Sequence, residues 1–70
     1  MWEPRPGDVI EAIRPGVLPP MARALIMSVH RDALHVSALV LVQGGPLKTV
    51  LIRGGRMSSY WMFELVFRST

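Results

Sequence analysis

Cysteine is absent from this 70-residue chain, and lysine and tyrosine occur once each. The lack of cysteine excludes a disulfide framework and any thiolate-held metal. Long apolar runs are missing too. The longest stretch without charge or proline, residues 33–45, contains His35, Ser37 and Gln43 and is too short to span a bilayer. The segment Met1-Trp2-Glu3-Pro4-Arg5-Pro6-Gly7-Asp8 lacks the basic-then-apolar order of a secretory leader. Together these features predict a cytoplasmic protein with no membrane partner. No nucleotide loop or nucleophile motif occurs, so neither enzyme activity nor a cofactor is expected.

What the chain does contain is apolar and arginine-rich. Hydrophobic residues make up 50% and charged residues 19%, which is too apolar for a disordered segment. A chain this short buries only about 60% of its unfolded surface. The apolar excess therefore predicts a contact patch, and with it a homodimer or other homo-oligomer or a protein partner. The net charge of +3 is unevenly placed. Residues 1–35 cancel, with Arg5, Arg14, Arg23 and Arg31 against Glu3, Asp8, Glu11 and Asp32. Residues 36–70 set Lys48, Arg53, Arg56 and Arg68 against Glu64 alone. An electropositive half suits nucleic acid or an acidic protein surface, and it also suits a solvated face.

Turn signals divide the chain into short segments. Pro4, Pro6 and Gly7 make residues 1–7 an extended arm ahead of one domain over residues 8–70. Asp8 to Arg14 reads as a strand, closed by Pro15-Gly16, and Pro19-Pro20 keeps the next connection irregular. From Ala22 to His30 the pattern alternates. Leu25, Met27 and Val29 fall on one face and Ala24, Ser28 and His30 on the other, with Ile26 out of phase. After a reversal at Arg31-Asp32, Leu34, Val36, Ala38, Val40 and Val42 continue the inner face. Gly44-Gly45-Pro46 and Gly54-Gly55 bracket a strand over Leu47–Arg53. Ser58 to Met62 suits a short helical turn, and Phe63, Leu65 and Phe67 a closing strand. The competing reading is one helix over residues 20–42, which would make the fold α+β. Against it, Arg23, Ser28, Arg31, Asp32, His35 and Ser37 scatter around a helical wheel.

Five short strands separated by turns predict an all-β, five-stranded antiparallel barrel. The opening Pro6-Gly7-Asp8-Val9-Ile10, the meander after it and the late aromatic turn and strand resemble the small SH3-like barrels of bacteria and phages. Gly44-Gly45-Pro46-Leu47-Lys48-Thr49-Val50 is similar to a segment near the start of one uncharacterised small-barrel family, although here it lies mid-chain. The acidic-aromatic motif of signalling SH3 domains is absent, so no proline-peptide site is carried over. The resemblance implies a binding module for protein or nucleic acid. A short, arginine-rich, cysteine-free chain of this kind also resembles a phage accessory protein, whose partner would be a host or virion protein.

Several side-chain groups invite chemistry. His30 and His35 flank the reversal with Asp32 nearby, but a structural Zn²⁺ site takes four ligands, so exposed imidazoles and no metal are expected. Ser37, His35 and Asp32 share triad residue types without a nucleophile turn. Arg53-Gly54-Gly55-Arg56, with Lys48 and Arg68, makes a candidate basic edge for nucleic acid. Four of the five aromatics, Tyr60, Trp61, Phe63 and Phe67, crowd the C-terminal end. Phe63 and Phe67 fit the inner face. Tyr60, Trp61 and Met62, rimmed by Arg53 and Arg56, make the leading candidate for a protein-docking patch. Trp2 in the proline-rich arm suits a peptide ligand or a plug over the end of its own barrel.

Overall fold

Six strands carry most of the chain: β1 (Val9–Ala12), β2 (Arg23–Arg31), β3 (His35–Val42), β4 (Leu47–Gly54), β5 (Met57–Trp61) and β6 (Phe63–Phe67). The computed structural model describes residues 2–54 and 57–68, with residues 57–60 described in their backbone alone. The fold is all-β, and no helix occurs among the described residues. Residues 20–42 form two strands and not the alternative helix. Ser58 to Trp61 belong to β5, where a helical turn was expected.

One antiparallel sheet runs in the order β5–β4–β3–β2–β1–β6. β5 and β6 lie at opposite ends of that order, so the ladder is open. They are nonetheless consecutive in the chain, separated only by Met62. The amide of Met62 donates to the Ile52 carbonyl, and its carbonyl accepts from the Ile13 amide. The expected closing strand is β6, and the segment expected as a turn is a sixth strand, β5, separated from it by one residue.

Local chemistry explains the turns. Arg5-Pro6-Gly7-Asp8 has proline at its second position and glycine at φ +93° at its third, the signature of a type II turn. The Asp8 amide closes it on the Arg5 carbonyl at 3.1 Å. Between β2 and β3, the Asp32 carboxylate accepts from the amides of Leu34 and His35 at 2.8 and 2.7 Å. That bonding makes a local turn in place of further ladder.

The core lies on the inner, concave face. It comprises Ile10 and Ala12 of β1, Ala24 and Ile26 of β2, Val36, Ala38 and Val40 of β3, and Val50 and Ile52 of β4, with Leu18, Trp61 and Phe63. Three of these are alanines, so the sheet can curl closely on itself. Three of the register shifts in the sheet adjust which side chains face inward. Met27 is an extra residue between Ile26 and Ser28, Ile52 between Leu51 and Arg53, and Val66 between Leu65 and Phe67. A bulge reverses the facing of every residue after it. Leu25 and Met27 therefore point outward while Val29 packs inward, which overturns the expectation that all three share the inner face. Phe67, expected in the core, is 61% exposed for the same reason.

The β1–β2 connection ends in a turn over Pro19–Ala22, closed by the Ala22 amide on the Pro19 carbonyl at 3.1 Å. Met21 there has φ +73° and is 77% exposed. A side chain in this left-handed region costs roughly 1 kcal/mol, and this one gains no packing in return. Met21→Gly is expected to raise stability by about 0.5 kcal/mol, after allowing for the greater freedom of glycine in the unfolded chain. Urea denaturation measures this directly, and a loss of stability would show that the turn carries no such strain.

Candidate functional site

Two regions of the molecule gather side chains with chemical potential. The first is the end of the curled sheet that the N-terminal arm covers. Arg31 of β2, Val36 of β3 and Arg53 of β4 lie opposite one another in a row. The register shift at Ile52 brings Arg53 into line with Val36. Glu3 of the arm bridges the two arginines. Its carboxylate accepts from the Arg31 guanidinium at 2.8 Å and from that of Arg53 at 3.2 Å. Arg31 also donates to the Pro4 carbonyl at 2.9 Å, and Pro4 is buried. Arg53 lies over the ring of Trp61, 5.2 Å from its centroid, and Trp2 packs tilted against the same indole at 5.1 Å. Arg14 donates to the Trp61 carbonyl.

Asp8 anchors the base of the arm. It is 1% exposed and accepts from Nε and one terminal nitrogen of the Arg68 guanidinium, at 3.1 and 2.9 Å, and from the Arg5 amide at 2.9 Å. Arg68 also donates to the Glu3 carbonyl. Burial pushes the Asp8 carboxyl up, but the hydrogen bonds from Arg68 and Arg5 and the two guanidinium charges outweigh it. The net result is a pKa below the ordinary carboxylate value. The Arg68 guanidinium is correspondingly raised by its bond to Asp8.

This arrangement redistributes the predicted site residues. Trp61 is 4% exposed and belongs to the core, so it is not an open docking contact. Met62 packs partly buried against that core. Tyr60, as a side chain, and Arg56 lie outside the described residues. Of the proposed basic edge, Arg53 and Arg68 are engaged with Glu3 and Asp8, while Lys48 stands exposed at the start of β4. His30 lies opposite Ser37, not His35. His35 packs on Gly54, where an added Cβ would fall 2.5 Å from the imidazole ring. Among the described residues no group of His, Asp or Glu is placed to hold a metal ion. No helix among them is long and apolar enough to cross a membrane.

The second region is the outer face of the sheet. Phe67, Val9, Leu25, Leu41 and Leu47 lie directly opposite one another across β6, β1, β2, β3 and β4. Val9 is half-buried, and the other four count among the exposed large hydrophobics. Leu39, Leu51 and Met27 widen this row on the same face. A groove of about 360 Å³ runs along it, lined by Val9, Leu25, Leu41 and Val42 and bounded by Arg23 and Gln43. Sequence patterning pointed to a surplus of apolar surface but placed it at the aromatic cluster. The signal that would have found it is the pairing of small inner residues (Ala24, Ala38) with large outer neighbours (Leu25, Leu39).

No protein family, curated protein or solved structure matches this chain in comparison.

Removing the Asp8 charge tests the anchor. The native pKa lies below the unfolded one, so the stabilisation is complete above the ordinary carboxylate range. It is lost as pH falls through the lower native value. Asp8→Asn is expected to cost about 1–3 kcal/mol at neutral pH. It should also flatten the fall in melting temperature between neutral and strongly acidic pH. An acid limb as steep as that of the parent chain would exclude Asp8 as its source.

Proposed function

We propose that the chain is a non-enzymatic binding module, a small SH3-like barrel that docks on a protein partner through its outer apolar row. The observation that carries this reading is the row itself: Phe67, Val9, Leu25, Leu41 and Leu47, continuous across five strands. Isolated exposed apolar residues are ordinary on a protein surface, but a contiguous band with no charge inside it is characteristic of contact surfaces. The bridging of β4 and the end of β1 by Met62 supports the barrel reading, because the strand pair β5–β6 spans both edges of the sheet.

Protein is favoured over nucleic acid by where the arginines go. A phosphate backbone is bound by cations with capacity to spare. Arg53 and Arg68 are held by the chain's own carboxylates, and Arg31 shares Glu3 with Arg53. The docking surface also departs from the expected aromatic patch, because Trp61 is consumed in packing Trp2 and Arg53.

Introducing charge into the row tests the docking face. Leu25→Glu combined with Leu41→Glu should weaken partner capture by at least about tenfold, since each would bury an unpaired carboxylate. Both side chains are outward, so circular dichroism and the melting temperature should stay close to those of the parent. Capture that survives the double substitution in a folded protein would sink the outer row as the working surface. A salt series with labelled single- and double-stranded DNA and RNA tests the other side. No binding is expected at about 50 mM salt, whereas binding with a log–log salt slope of about −3 would restore the basic edge.

A further inference from the structure

The arm is held on the end of the sheet as a ligand is held. Residues 2–6 belong to no strand. Among the described residues, backbone bonding between arm and sheet begins only at Gly7, whose amide donates to the Ile26 carbonyl at 2.8 Å. Ahead of Gly7 the arm meets side chains. Trp2 packs on the Trp61 indole, and the Glu3 carboxylate lies between Arg31 and Arg53. The carbonyls of Pro4 and Glu3 accept from Arg31 and Arg68. This surface offers more than the arm uses. Two guanidiniums share one carboxylate, which is itself 59% exposed. Nε of Arg53 and Nε1 of Trp61 are buried donors with no acceptor among the described residues. Buried donors are almost always satisfied, so two orphans on stacked groups mark a place for a further acceptor. The arm also brings its own cation, since Arg5, exposed two residues after Glu3, cancels its charge.

From this we infer that residues 2–4 are an internal stand-in, and that the surface beneath them is a second binding site, which takes an acidic-aromatic segment of a protein partner. The segment sets an aromatic ring on Trp61 and two carboxylates against Arg31 and Arg53. Guanidinium forks match carboxylates in shape as well as charge, and clustered arginines are a recurrent way of reading acidic motifs. A peptide is favoured over nucleic acid because the occupant on display is bonded through its backbone carbonyls as well as its side chains. Binding displaces residues 2–4 and leaves the turn at Arg5–Asp8 closed. The ion pairs that hold Glu3 are exposed, and such pairs contribute little. A tethered arm is nonetheless present at an effective concentration of order millimolar, so it turns away weak ligands and yields to strong ones. The site shares no residue with the outer row, so the two readings stand or fall separately.

Nuclear magnetic resonance of the full chain, titrated with the acetylated and amidated peptide Glu-Trp-Glu-Pro, tests this. The indole N–H signals of Trp2 and Trp61 should both shift, that of Trp2 toward a solvated indole. Glu3→Gln, which loosens the arm and leaves the surface beneath it intact, should tighten peptide binding at least about fivefold, because affinity scales with the open fraction. Arg53→Gln in that background should weaken binding at least about tenfold, and so should exchange of both peptide glutamates for glutamine. If Glu3→Gln proves poorly folded, Glu3→Asp, which draws the carboxylate back by one methylene, should tighten binding in the same direction by a smaller factor. Unmoved indole signals up to millimolar peptide, in the parent and in the loosened chain, overturn the site. Peptide affinity that neither Glu3 substitution raises overturns the arm as its stand-in. Equal binding of the neutral peptide overturns carboxylate recognition. Tighter binding of a single-stranded oligonucleotide than of the acidic peptide by the loosened chain overturns the peptide as occupant.

Discussion

The tight curl of one antiparallel sheet is the constraint from which the other features follow. A chain of this size can enclose a core only by bending its strands closely around one another. Ala12, Ala24 and Ala38 face inward on three neighbouring strands, and their small side chains leave room for Ile10, Ile26, Val40, Val50 and Ile52 to meet. The extra residues at Met27, Ile52 and Val66 sharpen the bend, because a bulge adds length to one strand and increases its local twist. So small an enclosed volume cannot hold half of the chain's residues. The remainder stays outside, and the register determines where.

A curled sheet has ends, and one of them is covered by the arm. Here the charges of the two halves of the chain combine. Glu3 and Asp8 come from the half whose formal charges cancel, while Arg53 and Arg68 come from the half that carries the excess. Folding therefore spends part of the positive surplus on holding the arm in place. The exposed pairs contribute little individually. Asp8 differs because it is almost wholly buried, and a buried carboxylate is tolerable only with its hydrogen bonds made. The guanidinium over Trp61 and the indole of Trp2 seal the same end with apolar surface.

Much of this was legible in the sequence and some of it was not, for one physical reason. Turn chemistry is local. Pro6-Gly7, Pro15-Gly16, Asp32 and Gly44-Gly45-Pro46 each mark a chain reversal or strand boundary in the structure. The all-β class follows from those boundaries and the alternation between them. Which side chains face inward is not local once a strand contains a bulge, since one extra residue inverts all that follow. Ile26, out of phase in the alternating pattern of β2, was the visible trace of the shift at Met27. An exception in the sequence pattern, it marks the true inner face in the structure. The same blindness put Phe67 inside and left Arg53 on an outer basic edge. Trp61 was misplaced for a different reason. The stretch from Ser58 to Met62 reads as a helical turn in the sequence, yet its backbone to Trp61 continues the sheet.

The distribution of leucine separates a selected surface from a residue of leftovers. Of the eight leucines, Leu18 alone is buried, and Leu25, Leu39, Leu41, Leu47 and Leu51 face outward on three adjacent strands. The inner positions of the same strands hold alanine, valine and isoleucine. Exposed strand positions are ordinarily served by threonine or by charged residues, which keep the surface wet and guard against unwanted pairing. An apolar surplus arising from composition alone would mix leucine with the β-branched residues on both faces. The segregation observed here has no use in the core, which is complete without it, and it carries an aggregation hazard in a free monomer. A long, flexible aliphatic side chain is well suited to interleave with another of its kind. That segregation of leucine to the outer face is what the proposed docking surface rests on.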